Sequence, residues 1–270
     1  TLIKVLRGCI FPLDKMFLLF DIGRTKFRMA RSLDGETLGE PEIIPTPARV
    51  EEGIGLIIKA VRNSDEAVKA IVIGSSRKVW GGARIAELVK KELAVPVYSE
   101  NDAALAALGE ATVGAGRGFR LVAYVTVSTG IGGAKIEDGR IDQNTFGFEP
   151  GQQIITIDGE KVGRLEDYVS GIAVAKRFGR PPHELTAEKI WYDLSRYLAA
   201  GLANTLLHWS PDCLILGGSM FRPPGFQVAI LESLIRQHLT IFPRLPVIKP
   251  AALGEGSALH GGLAYLRLQN

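Results

Sequence analysis

Three stretches carry residue types suited to chemistry on a polyanion. Asn101-Asp102 follows the β-like run VPVYSE and precedes the Ala- and Leu-rich AALAALGEA. An acid at such a strand-to-helix corner stands at the carboxyl edge of a sheet beside a helix N-terminus, a frequent ligand position in α/β proteins. The corners Asp21-Ile22-Gly23-Arg24-Thr25-Lys26 and Ser128-Thr129-Gly130-Ile131-Gly132-Gly133 combine small residues with hydroxyls. Backbone N–H groups in tight turns of this kind hold phosphate oxygens, and Asp21 is placed to orient a hydrated Mg²⁺ ion. Neither corner has P-loop or GxGxxG spacing. Each stretch also has a purely structural reading: an Asx turn for Asp21-x-Gly, and an N-cap for Asp102.

The chemical reading of Asp102 is proton acceptance from a hydroxyl whose oxygen attacks the γ-phosphorus of a nucleotide. Phosphoryl transfer asks for in-line placement and charge compensation more than for covalent chemistry. One acid, Mg²⁺ and two amide-lined turns are enough for it.

The elements that must position these residues follow from hydrophobic periodicity and turn signals. Strands are expected at 17–22 and 27–33, joined by the Gly-Arg-Thr-Lys turn, with a third near 37–44. A helix over 50–64, a central strand over 67–75, a helix over 83–93, a strand over 95–98 and a helix from about Ala103 complete a mixed α/β lobe. FRLVAYVTVS opens a second sheet, and strands at 134–137 and 140–141 flank the Asp138-Gly139 turn. This repeats the opening of the first half, so two related lobes are expected. Residues 144–156 read as an ordered loop. Helices over 163–178 and 186–208, a strand ending in Gly217-Gly218-Ser219, a helix over 225–239, a strand over 246–249 and a terminal helix follow. The expected division is an extension at 1–15, a first lobe at 16–112 joined by the C-terminal helix 256–270, and a second lobe at 113–255.

At 270 residues and 46% hydrophobic composition the chain can bury substantial cores. Lys and Arg outnumber Asp and Glu by only 32 to 29, and no basic stripe stands out, which gives no support to a nucleic-acid partner. Two cysteines, Cys9 and Cys213, argue against a disulfide scaffold or a four-cysteine zinc site. The apolar run IFPLDKMFLLF is broken by Pro12, Asp14 and Lys15, so no membrane span is expected, and a cytoplasmic location follows by default. His183, His208, His238 and His260 have no metal-ligand spacing.

The two corners, Glu100-Asn101-Asp102, Phe148-Glu149-Pro150-Gly151-Gln152 and Leu216-Gly217-Gly218 stand in the order found in the ROK family of sugar kinases and sugar-responsive repressors, which the chain resembles from about Met16 to its end. The resemblance implies a two-lobed ribonuclease H-like, actin-like ATPase (hexokinase-like) α/β fold with a central interlobe cleft. It implies ATP and Mg²⁺ as cofactors, a hexose or N-acetylhexosamine as substrate, and a homodimer. Gly23, Thr25 and Lys26 would belong to the first phosphate loop, with Asp21 near the metal. Thr129, Gly130, Gly132 and Gly133 would form the second, and Gly217 and Gly218 would lie by the adenosine. Asn101, Glu149 and Gln152 would contact the sugar, with Asp102 as general base.

The chain departs from that pattern in four places. Arg24 stands where family kinases usually carry a small residue, and Gln152 stands where many have a zinc-site His. The Cys-rich segment of those members is here IDGEKVGRLE, without cysteine, so zinc is not expected. The stretch between Gly74 and Glu100 is short, and Trp80 beside it is either a packing residue or part of the cleft lining. The retained acid and turns favour ATP-dependent sugar phosphorylation. Arg24 and the short stretch favour a catalytically weakened sugar- or nucleotide-binding sensor. A DNA-binding repressor ranks third, since little chain precedes Asp21 for a helix-turn-helix.

Overall fold

The structure, a computed structural model, describes residues 15–76, 79–82 and 84–269. The expectation of an extension falls on residues 1–14, outside that range, and on Lys15, which begins the first strand. Strands β1 (Lys15–Ile22), β2 (Lys26–Ser32), β3 (Glu42–Pro45), β4 (Ala67–Ser75) and β5 (Val97–Glu100) form one sheet in the order β3-β2-β1-β4-β5. Helices α1 (Val50–Arg62) and α2 (Ile85–Glu92) cover it, with α3 (Asp102–Thr112) following β5. Strands β6 (Leu121–Val127), β7 (Ile131–Glu137), β8 (Arg140–Ile141), β11 (Cys213–Gly217) and β12 (Val247–Pro250) form a second sheet in the order β12-β11-β6-β7-β8.

The two sheets have the same plan. In each, three consecutive antiparallel strands are extended by two parallel ones on the side of the first. The repeat expected from the two strand–turn–strand openings is therefore a repeat of the whole sheet, and the chain has the two-lobed hexokinase-like α/β fold.

Two departures from the sequence expectations lie between β8 and β11 along the chain. The stretch expected as loop to residue 156 ends in a two-stranded ribbon, β9 (Ile154–Asp158) with β10 (Lys161–Arg164), turning at Gly159 with φ +56°. The helix expected over 163–178 is broken into α4 (Leu165–Val169) and α5 (Gly171–Phe178). Ser170 is extended and caps α5, its hydroxyl accepting from Ala173 N. The break brings Gly171 N to the Ser128 carbonyl at 2.7 Å, so the start of α5 backs the 128–130 corner. Helices α6 (Glu188–Trp209) and α7 (Val228–His238) pack on the other face of the second sheet.

Between the sheets, α3 and the terminal helix α8 (Ser257–Gln269) share one core with Phe17 and Leu19 of β1, Val122 and Tyr124 of β6, and Ile215 of β11. Every residue of α3 from Ala103 to Ala111 is buried, which its Ala-, Leu- and Gly-rich sequence permits. Contact with α8 is at backbone distance: a Cβ on Gly109 would lie 2.2 Å from the Ser257 carbonyl oxygen, and one on Gly261 1.7 Å from that of Leu105.

Candidate active site

Asn101, not Asp102, caps α3. Its Oδ1 accepts from Ala103 N at 3.0 Å and Ala104 N at 3.1 Å, and Asp102 is the first helical residue. The capping explanation of the acid therefore passes to its neighbour. Asp102 Oδ1 still accepts from Ala103 N at 2.9 Å. Burial raises its pKa above the ordinary carboxylate value, the Ala103 N–H opposes the rise, and the nearby Glu149 carboxylate adds to it.

Two strand glycines are packed close to this acid. A Cβ on Gly74, at the end of β4, would lie 3.7 Å from the Asp102 Cα, and one on Gly132 would lie 3.2 Å from the Ala103 Cβ. Asp21 is buried at the end of β1, and burial pushes its pKa up to about 7 against the pull of the Arg28 guanidinium, with Asp102 contributing repulsion. Gly23 N donates to the Lys26 carbonyl at 3.0 Å, and Thr46 holds the turn from behind through its hydroxyl on the Gly23 carbonyl at 2.7 Å. Arg24 and Thr25 are exposed at its tip.

In the second corner only residues 128–130 are turn. Gly132 and Gly133 belong to β7, paired with Thr126 and Val125. Gly133 is needed for packing, since a Cβ there would meet the Tyr124 carbonyl at 2.6 Å and Pro150 Cγ at 2.9 Å. That close seat fixes Pro150, the residue after the exposed Glu149 whose charge adds to the rise at Asp102. The third corner lies against the second: Gly218 has φ +100°, a Cβ on it would lie 2.2 Å from the Val127 carbonyl, and the Ser128 and Ser219 hydroxyls are 3.3 Å apart.

Gln152 is exposed on the 3₁₀ turn Pro150–Gln152. It is Gln153 that turns inward, its Nε2 donating to the Pro150 carbonyl at 2.9 Å and the Thr205 hydroxyl at 3.1 Å. Trp80 packs in the first lobe, its indole N–H donating to the Pro47 carbonyl at 2.7 Å and its ring filling the space above Gly53. Arg77, Lys78 and Ala83 of the short stretch lie outside the described residues.

Four residues not singled out in the sequence stand at these corners. Glu166 Oε2 accepts from Ile131 N at 3.0 Å and sits over Gly130 and Gly151. Arg28 holds Asp21 at 2.8 Å, and Glu255 takes bonds from Lys26, Arg28 and Arg222. For Arg28 a signal existed: it lies two residues beyond Lys26 on a strand, hence on the same face. Among the described residues no group of three or more His, Cys, Asp or Glu is arranged to hold a metal ion, and no helix is long and apolar enough to cross a membrane.

The family model for ROK proteins matches residues 18–269. The chain belongs to the ROK family. A ROK hexokinase from Thermus thermophilus superposes with a TM-score of 0.75 at 26% identity, over 94% of this chain and 99% of that one. The fructokinase of Lactococcus lactis subsp. cremoris is 26% identical over 89% of this chain and 88% of its own length. The bifunctional enzyme NanE/NanK of Brucella melitensis is 28% identical over 90% of this chain. This ROK chain spans about half of that relative, 52% of its length.

Proposed function

We propose that this ROK protein is an ATP-dependent kinase of a hexose or N-acetylhexosamine, with Asp102 as general base. The carrying observation is that Asn101 does the helix capping, while Asp102 stands in a desolvated position where its pKa is raised. A carboxylate with a raised pKa is a better proton acceptor than an ordinary one. Kinase relatives that match most of the chain support the choice of substrate class.

In this reading Asn101, Glu149 and Gln152 meet the sugar. The 21–26 and 129–133 corners hold the phosphates through Gly23, Thr25, Lys26, Thr129, Gly130, Gly132 and Gly133. Gly217 and Gly218 line the adenosine. Asp102 accepts the proton of the attacking hydroxyl, the oxygen forms a bond to the γ-phosphorus, and the bond from that phosphorus to the β-phosphate oxygen breaks, releasing ADP.

Magnesium keeps most of its water and takes one or two carboxylates with phosphate oxygens, so the single buried carboxylate of Asp21 suits contact through water. When bound, the ion would neutralise phosphate charge. The ribbon 154–164 and Gln152 offer no thiolate or imidazole for zinc. The reading divides the molecule into lobes 16–112 and 113–255, with residues 256–270 joined to the first, and places it in the cytoplasm as a homodimer.

The test is ADP release across a panel of hexoses and N-acetylhexosamines, with Asp102→Asn beside the parent. Asp102→Asn should lower kcat by ~10²–10⁴. If the parent shows no sugar-dependent turnover above the variant on any sugar, the kinase reading fails. In that event, with nucleotide or sugar still bound, the sensor reading takes over, as the exposed Arg24 at the tip of the first corner favours.

A further inference from the structure

Lys26, Arg28 and Arg222 come from both lobes and converge on one carboxylate. Glu255 Oε1 accepts from Lys26 Nζ at 2.6 Å and Arg222 Nη2 at 2.7 Å, and its Oε2 accepts from Lys26 Nζ at 2.8 Å and Arg28 Nη2 at 3.2 Å. The other end of the Arg28 fork reaches Asp21 Oδ2 at 2.8 Å. Three cations face the carboxylates of Glu255 and Asp21, Asp102 also acts on Arg28 through its charge, and the Arg28 Nε is buried without a partner.

Packing does not hold these cations together, since the Lys26 and Arg222 side chains are 43% and 60% exposed. Like charges brought together cost free energy unless an anion compensates them, and here Glu255 is the anion common to all three. The position of the cluster explains what it awaits. Lys26 closes the first corner, whose Gly23 N–H its own carbonyl holds, and Arg222 follows the Gly217-Gly218-Ser219 turn. The cluster therefore lies between the corner assigned to phosphates and the one assigned to adenosine. A carboxylate gripped through both oxygens by an ammonium and two guanidiniums offers these cations what a phosphate group would: charge and paired acceptors.

We propose that Glu255 is an internal stand-in for a phosphate, displaced from Lys26, Arg28 and Arg222 when the polyphosphate of a nucleotide binds. The inference rests on reading the corners as the nucleotide site and adds to it a built-in competitor. Glu255 keeps the cations gathered ahead of nucleotide binding and weakens that binding by the work of separating it from them. That work is recovered only by ligands with enough phosphates to replace both of its oxygens. Discrimination between nucleotides by phosphate number follows, since adenosine alone leaves the carboxylate in place.

The experiment is calorimetric titration of ATP, ADP, AMP and adenosine into the parent and Glu255→Gln, each with Mg²⁺. Removing the competing charge should tighten ATP by about fivefold, tighten ADP less and leave adenosine unchanged. Arg28→Gln and Arg222→Gln, each added to Glu255→Gln, should reverse the gain. Unchanged or weaker ATP binding by Glu255→Gln, an equal gain for adenosine, or no ATP binding by either protein overturns the proposal. A crystal structure of the parent with a non-hydrolysable ATP analogue and Mg²⁺ gives a readout independent of any variant. Glu255 should be parted from Lys26 and Arg222 there, and its persistence on both refutes displacement. The predicted affinity pattern without sugar-dependent turnover would leave the displacement standing and remove only the kinase reading.

Discussion

At the scale of single residues, the raised carboxyls of Asp21 and Asp102 act in the same sense on the pH behaviour. Asp21, with its pKa pushed up to about 7, keeps a proton in the folded protein that the unfolded chain releases near the ordinary 3.8. Unfolding between those values releases a proton, so this group's contribution falls as pH rises from about 4 to about 7. Glu255 and Asp34, both lowered to about 2 from 4.5 and 3.8, add stability as pH rises through that interval, so their effect is nearly complete at the bottom of the window. His260, whose pKa burial lowers from 6.5, acts in the opposite sense within it. Urea midpoints of ligand-free parent and Asp21→Asn across pH 4 to 8 separate these effects. The parent's stability should lose ground to the variant's as pH rises, and parallel curves would show that Asp21 is not the group responsible. Asp21 and Asp102 were legible in the sequence because one closes an apolar run and the other stands at a strand-to-helix corner. The roles of Glu255 and Arg222 were not, since a surface Glu and Arg far apart in the chain carry no local mark of meeting.

At the scale of elements, glycine has opposite meanings on two helices. Gly261→Ala would put a Cβ into the Leu105 carbonyl, force α8 off α3 and cost about 3 kcal/mol. Gly55→Ala, exposed on α1 with nothing near, should instead stabilise by ~0.5–1 kcal/mol. Denaturant titrations should return these two signs, and a harmless Gly261→Ala would disprove the backbone contact. Read along the chain, both glycines are only poor helix formers, because what distinguishes them belongs to a different helix. The strands were better marked, with β4 placed to the residue by its apolar run. The β9–β10 ribbon was missed because Ile157 and Val162, a cross-strand pair, are largely exposed and leave no alternating buried face. The break at Ser170 was hidden because apolar spacing runs through it and the capping hydroxyl has no periodicity.

At the scale of the molecule, the two lobes are not separate folding units. Side chains from β1, α3, β6, β11 and α8 form one core, so neither sheet can lose its inner face without exposing the other's. Thermal unfolding followed by calorimetry and by near- and far-ultraviolet circular dichroism should give one coincident transition. Two resolved steps would mean that the shared core does not couple the lobes.

The same helix pair has a mechanical consequence. Both sheets grip α3, and Asp102 is its first residue, so the acid sits near the shaft on which one lobe would turn against the other. Displacement in a rotation grows with distance from the axis. Thr25 and Gly218, out on the corners, would sweep the longer arcs, while the carboxylate would keep its place like a point beside an axle.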